Sequence, residues 1–399
     1  MTDASQNLDD FRTQTRAWLE QNCPESMRTP MPEDETVWGG RNATYKFPEQ
    51  KLWLDRMAAK GWTAPSWPTQ YGGGGLDNAQ NRVLQEELER ISARPALRSF
   101  GLMMLGPALF EFATPAQLER YIPPIVRGEI RWCQGYSEPG AGSDLAGLRT
   151  RAEDHGDHFL VNGAKIWTSL AHYADWIFCL VRTDTDAPKH EGISFMLFDM
   201  ASPGVEAQPI KLISGASHFC QTFFDNVEVP KDQLVGELNK GWTIAKRLLQ
   251  HERASIASMG RGPAKKTASL PAIAKRYIGE HNGGIADAVL RDRIAAQAMD
   301  AHAFSLTTER AMEEARTGMA SGAASSMFKY YGTELNKRRY DLMMEVMGSQ
   351  ALGWEGDSFD NDELTTTRAW LRSRANSIEG GTSEVQLNII AKRVLGLPD

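Results

Sequence analysis

The sequence has few cysteines, no long apolar run and no excess of positive charge. Its 399 residues include only 4 cysteines, and no pair of them has C-x-x-C or metal-ligand spacing. This scarcity argues against a disulfide scaffold and a cysteine metal site, and it predicts reduced, mostly buried thiols in a cytoplasmic protein. A transmembrane helix needs about 18 consecutive apolar residues, and no stretch approaches that length.

The charge balance narrows the possible partners. The formal net charge is -7, so the chain lacks the basic footprint of a nucleic-acid-binding protein and the polybasic signal of a membrane-surface protein. Hydrophobic residues make up 41% and charged residues 24%, which is an ordinary globular balance. The polar, acidic N-terminal stretch does not resemble a secretory signal. We therefore expect neither nucleic acid nor membrane as a partner.

The apolar pattern changes twice along the chain. Residues 1–128 and 237–399 carry apolar residues at helical spacing, whereas 129–236 contain short apolar runs separated by Gly, Pro, Asp and Asn. Within the middle part, Asn162-Gly163 between two apolar runs predicts a β-hairpin turn. The pattern thus predicts an α+β multi-domain protein, with an N-terminal helical domain, a middle β domain and a C-terminal four-helix domain.

Glu252 is the most informative polar residue of the C-terminal part. It lies four residues after Leu248 and four before Ile256, on the apolar stripe of a helix predicted over 241–259. Burial disfavours the charged form of a carboxylate, which would suit a general base. A Glu at the edge of such a stripe, paired with Arg253 or His251, is the commoner arrangement.

Two glycine-containing segments could hold a polar ligand. Residues 137–144 have little bulk and should expose backbone N–H groups. A nearby Trp167 is either part of the core or a cover for a flat ring whose polar edge Ser137 and Ser169 would bond. Residues 379–382 precede a capping box predicted at Ser383, and they suit either a phosphate or cofactor site or a plain turn.

These segments occur with others in an order that resembles the acyl-CoA dehydrogenase family. The matching pieces are YGGGGL, SEPGAGSDL, V-N-G-x-K-x-W, FFDNVEVP, the G-W helix start and GGTSEVQLNIIAKRVLGLP. The resemblance implies two helical domains flanking a β-barrel or sandwich domain, one non-covalent FAD and an oligomer built on the C-terminal bundle. It also implies α,β-dehydrogenation of an acyl-CoA thioester, with hydride transfer to flavin N5 and electrons passing to an electron-transferring flavoprotein.

The resemblance also implies roles for individual residues. It assigns FAD contacts to Gln134, Tyr136, Ser137, Gly142, Ser143, Trp167, Thr168, Ser169, Gly348, Thr382 and Glu384. Ser143 also matches a position near the CoA. Gly380 matches the position whose backbone N–H polarises the thioester carbonyl.

One departure from the family pattern concerns the base. Most members place it in Y-E-G-T, but Gly380 stands at the position of that acid here, with Glu379 one residue earlier. A branch of the family takes its base from the helix that holds Glu252, followed by Arg. The resemblance therefore implies Glu252 as the base, Arg253 as a support for the CoA or the loop, and a branched, bulky or dicarboxylic acyl chain.

A second departure concerns the FAD diphosphate. The family's R-x-x-F-G segment is absent, and only Lys275 and Arg276 could replace it. Either a homodimer or homotetramer holds FAD differently, or an α2β2 partner supplies the missing segment. Two other functions stay open: a flavin oxidase or monooxygenase on the same fold, and a non-catalytic subunit of an α2β2 enzyme.

Overall fold

The computed structural model describes residues 3–249, 269–316 and 324–398. They form two compact units. Unit 1 comprises 3–210 and 218–249, and unit 2 comprises 211–217, 269–316 and 324–398. No helix in this described part of the chain has both the length and the apolar character needed to cross a bilayer. All four cysteines are free and buried, as predicted.

The helices of unit 1 come before and after its sheet. They are α1 (Asp3–Asn22), α2 (Pro48–Ala59), α3 (Asn78–Arg90), α4 (Gly106–Phe112), α5 (Pro115–Arg127) and α6 (241–249). A capping box of Thr114 and Gln117 begins α5. Gln117 also donates to the carbonyls of Asp232 and Leu234, each at 2.8 Å, and so ties α5 to the sheet.

The β domain is one eight-stranded sheet. Its strands are β1 (Trp132–Gly135), β2 (Arg151–Asp154), β3 (His158–Ser169), β4 (Trp176–Arg182), β5 (Ile193–Asp199), β6 (Val205–Ile210), β7 (Phe219–Pro230) and β8 (Leu234–Val235). The order is β6-β7-β3-β2-β4-β5-β8, and β1 pairs in parallel with β4. Mostly antiparallel neighbours of this kind confirm the predicted middle β domain.

The central strands are buried on both faces. Phe178 and Leu180 of β4 pack in one core with Ile122 of α5, whereas Cys179 and Val181 pack in the core on the other face. A strand covered on both sides has no polar alternation, which explains the unbroken apolar run in the sequence.

The prediction of a hairpin turn at Asn162-Gly163 is wrong. β3 runs through both residues, and the turn that joins β2 to β3 contains Gly156, whose φ is 93°. The register of β3 against β7 shifts between Val161 and Gly163. A Cβ on Gly163 would lie 2.6 Å from Oγ1 of Thr150, so this glycine serves a close approach of β3 to the residue before β2 and not a turn.

Unit 2 is helical. Its helices are α7 (Leu270–Ile278), α8 (Ala288–Arg316), α9 (Ala324–Met347), α10 (Asn361–Ser373) and α11 (Ser383–Ile389), with a two-stranded ribbon of β9 (Glu280–His281) and β10 (Gly284–Ile285). Ala274, Ile294, Leu342 and Val346 join α7, α8 and α9 in one core. The short helices α7 and α10 add to the helices predicted from periodicity.

Candidate functional site

The end of β1 and the loop after it carry several of the predicted FAD contacts. Gln134 pairs with Phe178 in the parallel β1–β4 register. Tyr136 is buried, with its ring edge-to-face to Phe178 at 6.3 Å. The Ser137 carbonyl accepts a hydrogen bond of 2.8 Å from the N–H of Ile166 in β3. The start of the loop is therefore held against β3, close to the predicted residues 167–169.

The glycines of the loop lie open. A Cβ added to Gly140 or Gly142 would meet no heavy atom of the described residues within 4 Å. Gly142 and Ser143 are both exposed. Backbone N–H groups in such a segment can approach a ligand closely, which suits the family's use of this loop.

The end of β3 presents an aromatic ring. Trp167 is 53% exposed and has a φ of 61°, at a register shift between Lys165 and Thr168. Its indole meets Phe219 edge-to-face at 6.0 Å. The irregular backbone directs the Trp167 side chain outward, whereas a regular strand would orient it differently.

The two hydroxyl residues after Trp167 differ in exposure. Thr168 is fully buried, and its Oγ1 has no hydrogen-bond partner within the described residues. Ser169 is half-buried and pairs with Phe219 in the β3–β7 register. An exposed indole, an open glycine loop and a buried hydroxyl without a partner fit a flat ring with polar edges, as in the isoalloxazine of FAD.

A buried ion pair beneath this loop was not predicted from the sequence. Lys165 is fully buried, and its Nζ donates to Glu138 Oε1 at 2.8 Å and to the Tyr136 carbonyl at 3.1 Å. Burial alone would raise the pKa of Glu138, but Lys165 and the segment at Arg149 and Thr150 hold it below its ordinary value. A lysine at an inward position of the strand pattern was the signal that could have revealed the pair.

The glycine loop of unit 2 is held by residues at the start of α11. Gly380 and Gly381 have φ values of 64° and 91°. Gln386 Nε2 donates to their carbonyls at 3.1 and 3.4 Å. Thr382, not the predicted Ser383, caps α11, because its Oγ1 accepts from the N–H of Val385 at 3.2 Å. The loop therefore has a defined conformation that favours glycine at both positions.

Polar groups at the start of α11 suit a ligand. Glu384 is exposed in the first turn, and hydrogen bonding to its own backbone and to Thr382 lowers its pKa. Ser383 Oγ and Gln386 Oε1 are buried without hydrogen-bond partners among the described residues. Gly348 follows α9, against which α11 packs; it is exposed and has a φ of 56°.

Glu379 is engaged within unit 2. Its Oε2 accepts from Arg372 Nη2 at 2.6 Å, and its Oε1 accepts from Asn376 Nδ2 at 2.6 Å. Asn376 in turn accepts from Asn336 Nδ2 of α9 at 2.9 Å. The acid nearest to the family's usual base position is thus bonded on both oxygens.

The two cations considered for the FAD diphosphate are also paired. Lys275 Nζ lies 2.9 Å from Glu280 Oε2, and Arg276 Nη2 lies 2.6 Å from Asp360 Oδ2. These neighbours offset the charge that a diphosphate would meet at α7.

The predicted base and its neighbour, Glu252 and Arg253, lie outside the described residues. The described part of the helix predicted over 241–259 is α6, which buries Ala245 and Leu248 completely. The apolar stripe predicted for this helix is therefore confirmed as far as 249.

Sequence comparison matches this architecture to three family profiles. "Acyl-CoA dehydrogenase, N-terminal domain" matches residues 5–129, the middle domain matches 133–227 and the C-terminal domain matches 239–395.

Individual relatives match over most of this chain. Acyl-CoA dehydrogenase IpdE1 of Mycobacterium tuberculosis is 35% identical over 395 residues, which cover 98% of each chain. Acyl-CoA dehydrogenase FadE34 of the same organism is 38% identical over 359 residues, which cover 88% of this chain and 47% of FadE34.

Solved structures agree in fold. The structure titled "Tcur3481-Tcur3483 steroid ACAD" has a TM-score of 0.76 at 28% identity and covers 100% of this chain and 99% of its own. The ChsE4-ChsE5 complex from Mycobacterium tuberculosis has a TM-score of 0.72 at 28% identity, with the same coverage. By fold and by sequence along nearly its whole length, the chain belongs to the acyl-CoA dehydrogenase family of oxidoreductases.

Proposed function

We propose that this chain is an FAD-dependent enzyme that removes hydrogen from the α and β carbons of an acyl-CoA thioester. The observation that carries the proposal is the attachment of the open glycine loop to β3 beside the exposed Trp167 indole. FAD, when bound, supplies the acceptor for the hydride that leaves the β carbon. The proposed physiological electron acceptor is an electron-transferring flavoprotein.

The binding roles follow the family resemblance. FAD contacts are proposed for Gln134, Tyr136, Ser137, Gly142, Ser143, Trp167, Thr168, Ser169, Gly348, Thr382 and Glu384. Substrate contacts are proposed for Ser143, Arg253 and Gly380. The glycine loop supports the last of these, because its fixed conformation is what a backbone N–H needs to meet a thioester oxygen.

Glu252 takes the α-proton in this proposal, while the N–H of Gly380 stabilises charge that develops on the thioester oxygen. The alternative acid, Glu379, already accepts hydrogen bonds from Arg372 and Asn376. Both of its carboxylate oxygens are therefore engaged within unit 2.

The matched variants E252Q and E379Q test the base. Acyl-CoA should bleach the flavin of E379Q under anaerobic conditions, whereas E252Q should retain FAD and bleach slower by at least about 10²-fold, the usual scale for loss of a general base. Normal bleaching by E252Q, with loss in E379Q, would transfer the role to Glu379.

A bulky, branched or dicarboxylic acyl chain is the proposed substrate class. Support comes from the similarity to a structure titled as a steroid enzyme of this family. A stopped-flow bleaching screen over linear, branched, dicarboxylic, aromatic and steroid acyl-CoAs tests it. Fastest bleaching by a linear long-chain acyl-CoA would contradict the assignment.

Rapid reoxidation of the reduced flavin by air would favour an oxidase or monooxygenase instead of a dehydrogenase.

An α2β2 assembly with a homologous subunit is a second candidate, favoured by the pairing of Lys275 with Glu280 and of Arg276 with Asp360. In such an assembly the partner would supply the diphosphate contacts. Purified alone, the chain would then be colourless, and co-expression with a homologous subunit would restore flavin. A yellow homodimer or homotetramer would refute this arrangement.

A cytoplasmic location is proposed as well, and cell fractionation tests it.

A further inference from the structure

Lys165 and Glu138 form a buried ion pair to which the proposed reaction assigns no task. Their exposed fractions are 0% and 8%, and their charged atoms lie 2.8 Å apart. We propose that this pair positions the flavin loop: it sets the loop's conformation before the cofactor arrives. The proposal rests on the proposed function, because it takes residues 136–144 as the FAD loop.

The pair connects three separate backbone segments. Lys165 belongs to β3 and donates to the carbonyl of Tyr136 at the start of the loop, at 3.1 Å. Glu138, two residues on, accepts from the N–H groups of Arg149 and Thr150 at 2.6 and 2.9 Å. Ser137 lies between the two anchored residues and is itself bonded to Ile166, the neighbour of Lys165.

Other contacts lie around this part of the loop: Tyr136 and Ala141 are buried in the core, and Glu138 and Ala141 exchange two backbone hydrogen bonds of 3.0 Å. Gly140 and Gly142 have open space where a side chain would stand. Arg182 bonds the carbonyls of Ala146 and Leu148 at 2.6 and 3.4 Å, so it anchors the segment that follows the loop and not the loop's first residues. The contacts of Lys165 with Tyr136 and Glu138, and the adjacent Ile166 bond, tie Ser137 and the residues on either side of it to β3.

A buried ion pair generally adds little to the free energy of unfolding. The cost of removing two charges from water can exceed their attraction, and replacement by well-packed apolar residues is often neutral or stabilising. A pair that joins three segments instead selects one loop geometry. In a chain whose loop must meet a rigid ring, that geometry lowers the entropy lost on binding.

The test compares E138Q/K165M with V161A. The double variant removes both charges and keeps a side-chain acceptor for the amides of the segment at Arg149. Val161 is also buried in β3 but packs in a different core from Tyr136, so V161A should lower stability without releasing the loop. Apoprotein melting, FAD affinity by flavin fluorescence, and exchange of the Ile166 amide are measured for both.

We expect FAD affinity to fall at least about tenfold in E138Q/K165M and to stay within about twofold in V161A at a comparable melting temperature. The Ile166 amide should lose exchange protection only in the double variant. Equal loss of affinity in both variants would make the pair a general stability element and overturn the proposal. Unchanged affinity and protection in the double variant would overturn it too.

A conservative variant covers the case in which the double variant does not fold. E138D keeps the charge but is one methylene shorter, so it cannot reach both Lys165 and the amides. It should lose FAD affinity and Ile166 protection in parallel, and retention of both would overturn the proposal. If the wild-type chain binds no FAD, the proposed function fails, while the exchange measurement still decides whether the pair fixes the loop.

Discussion

At the scale of single residues, Trp167 stands out because its backbone conformation is unfavourable. An aromatic residue with a φ of 61° occupies the left-handed region, where a Cβ meets the backbone. A residue in this conformation costs on the order of 1 kcal/mol of folding stability. The exposure of the indole means that packing within the described residues recovers only part of that cost.

Replacing Trp167 by glycine should therefore relieve strain. In an ordinary strand Gly is less stable than Ala by about 0.5–1 kcal/mol. At this position we expect the order to reverse, with W167G at least as stable as W167A in denaturant unfolding of the apoprotein. Both variants should bind FAD more weakly than wild type. If W167G is the less stable by the ordinary margin, the left-handed backbone carries no strain.

Lys165 shows why the sequence predicted only part of the site. The Ser137–Ser143 loop and Trp167 were found because small residues and an aromatic ring form a local pattern. Glu138 and Lys165 are 27 residues apart, and a lysine in a strand ordinarily faces solvent. The inward position of Lys165 in the strand pattern could have suggested its burial, but its partner could be identified only once β3 had been placed beside the loop.

At the scale of elements, one carboxylate joins the first helix to the third. Glu87 of α3 is buried, and it accepts hydrogen bonds from Arg12 and Arg16 of α1 and from Arg90 of its own helix. Bonding to Arg16, opposed by desolvation and helped by Arg90 and Arg12, lowers the pKa of Glu87 from 4.5 to about 2.

This contact should make the protein acid-sensitive. A carboxylate whose folded pKa is depressed contributes stability above its unfolded pKa and loses it as pH falls through the folded value. We expect E87Q to lower the free energy of unfolding by ~2 kcal/mol at pH 7, the scale of hydrogen bonds to a charged group. The difference between wild type and E87Q should shrink between pH 4.5 and about 2 in denaturant titrations. A difference that does not change with pH would exclude the ionised Glu87 as its source.

Strands and helices with a regular apolar pattern were predictable from the sequence, whereas the structural role of a glycine was not. The apolar runs of β4 and β5 and the helical stripes of α8 and α9 follow directly from burial. Gly163 was mistaken for a turn residue because Asn-Gly favours hairpins, although the close approach of Thr150 also demands a glycine. Sequence alone does not separate these two demands on one residue.

At the scale of the whole molecule, α8 carries an exposed apolar face. Met299 and Leu306 are 72% and 51% exposed and lie seven residues apart, hence on one side of the helix. Exposed apolar residues in a row are a feature of subunit interfaces. They support the proposed oligomer built on the C-terminal helices.

The double variant M299E/L306E should weaken this assembly. We expect it to move to a smaller species in analytical ultracentrifugation, because two buried carboxylates would be desolvated at the contact. Val289 is 69% exposed but lies roughly 80° further round α8, so V289E is the matched control and should assemble as wild type does. An unchanged sedimentation coefficient for the double variant would place the interface elsewhere.

The short segment 211–217 joins β6 to β7 in sequence yet belongs to unit 2. Arg368 donates to the carbonyl of Ser214 at 3.3 Å and stacks on Trp354 at 3.9 Å, and Gly215 packs against the same indole. The C-terminal helices are thus not a module that can be exchanged by cutting the gene once. A chimera that takes residues 269–399 from a relative should fold well only if residues 211–217 come from the same parent. Recombination between members of this family is therefore expected to give a folded protein when residues 211–217 and the C-terminal helices are taken from the same parent.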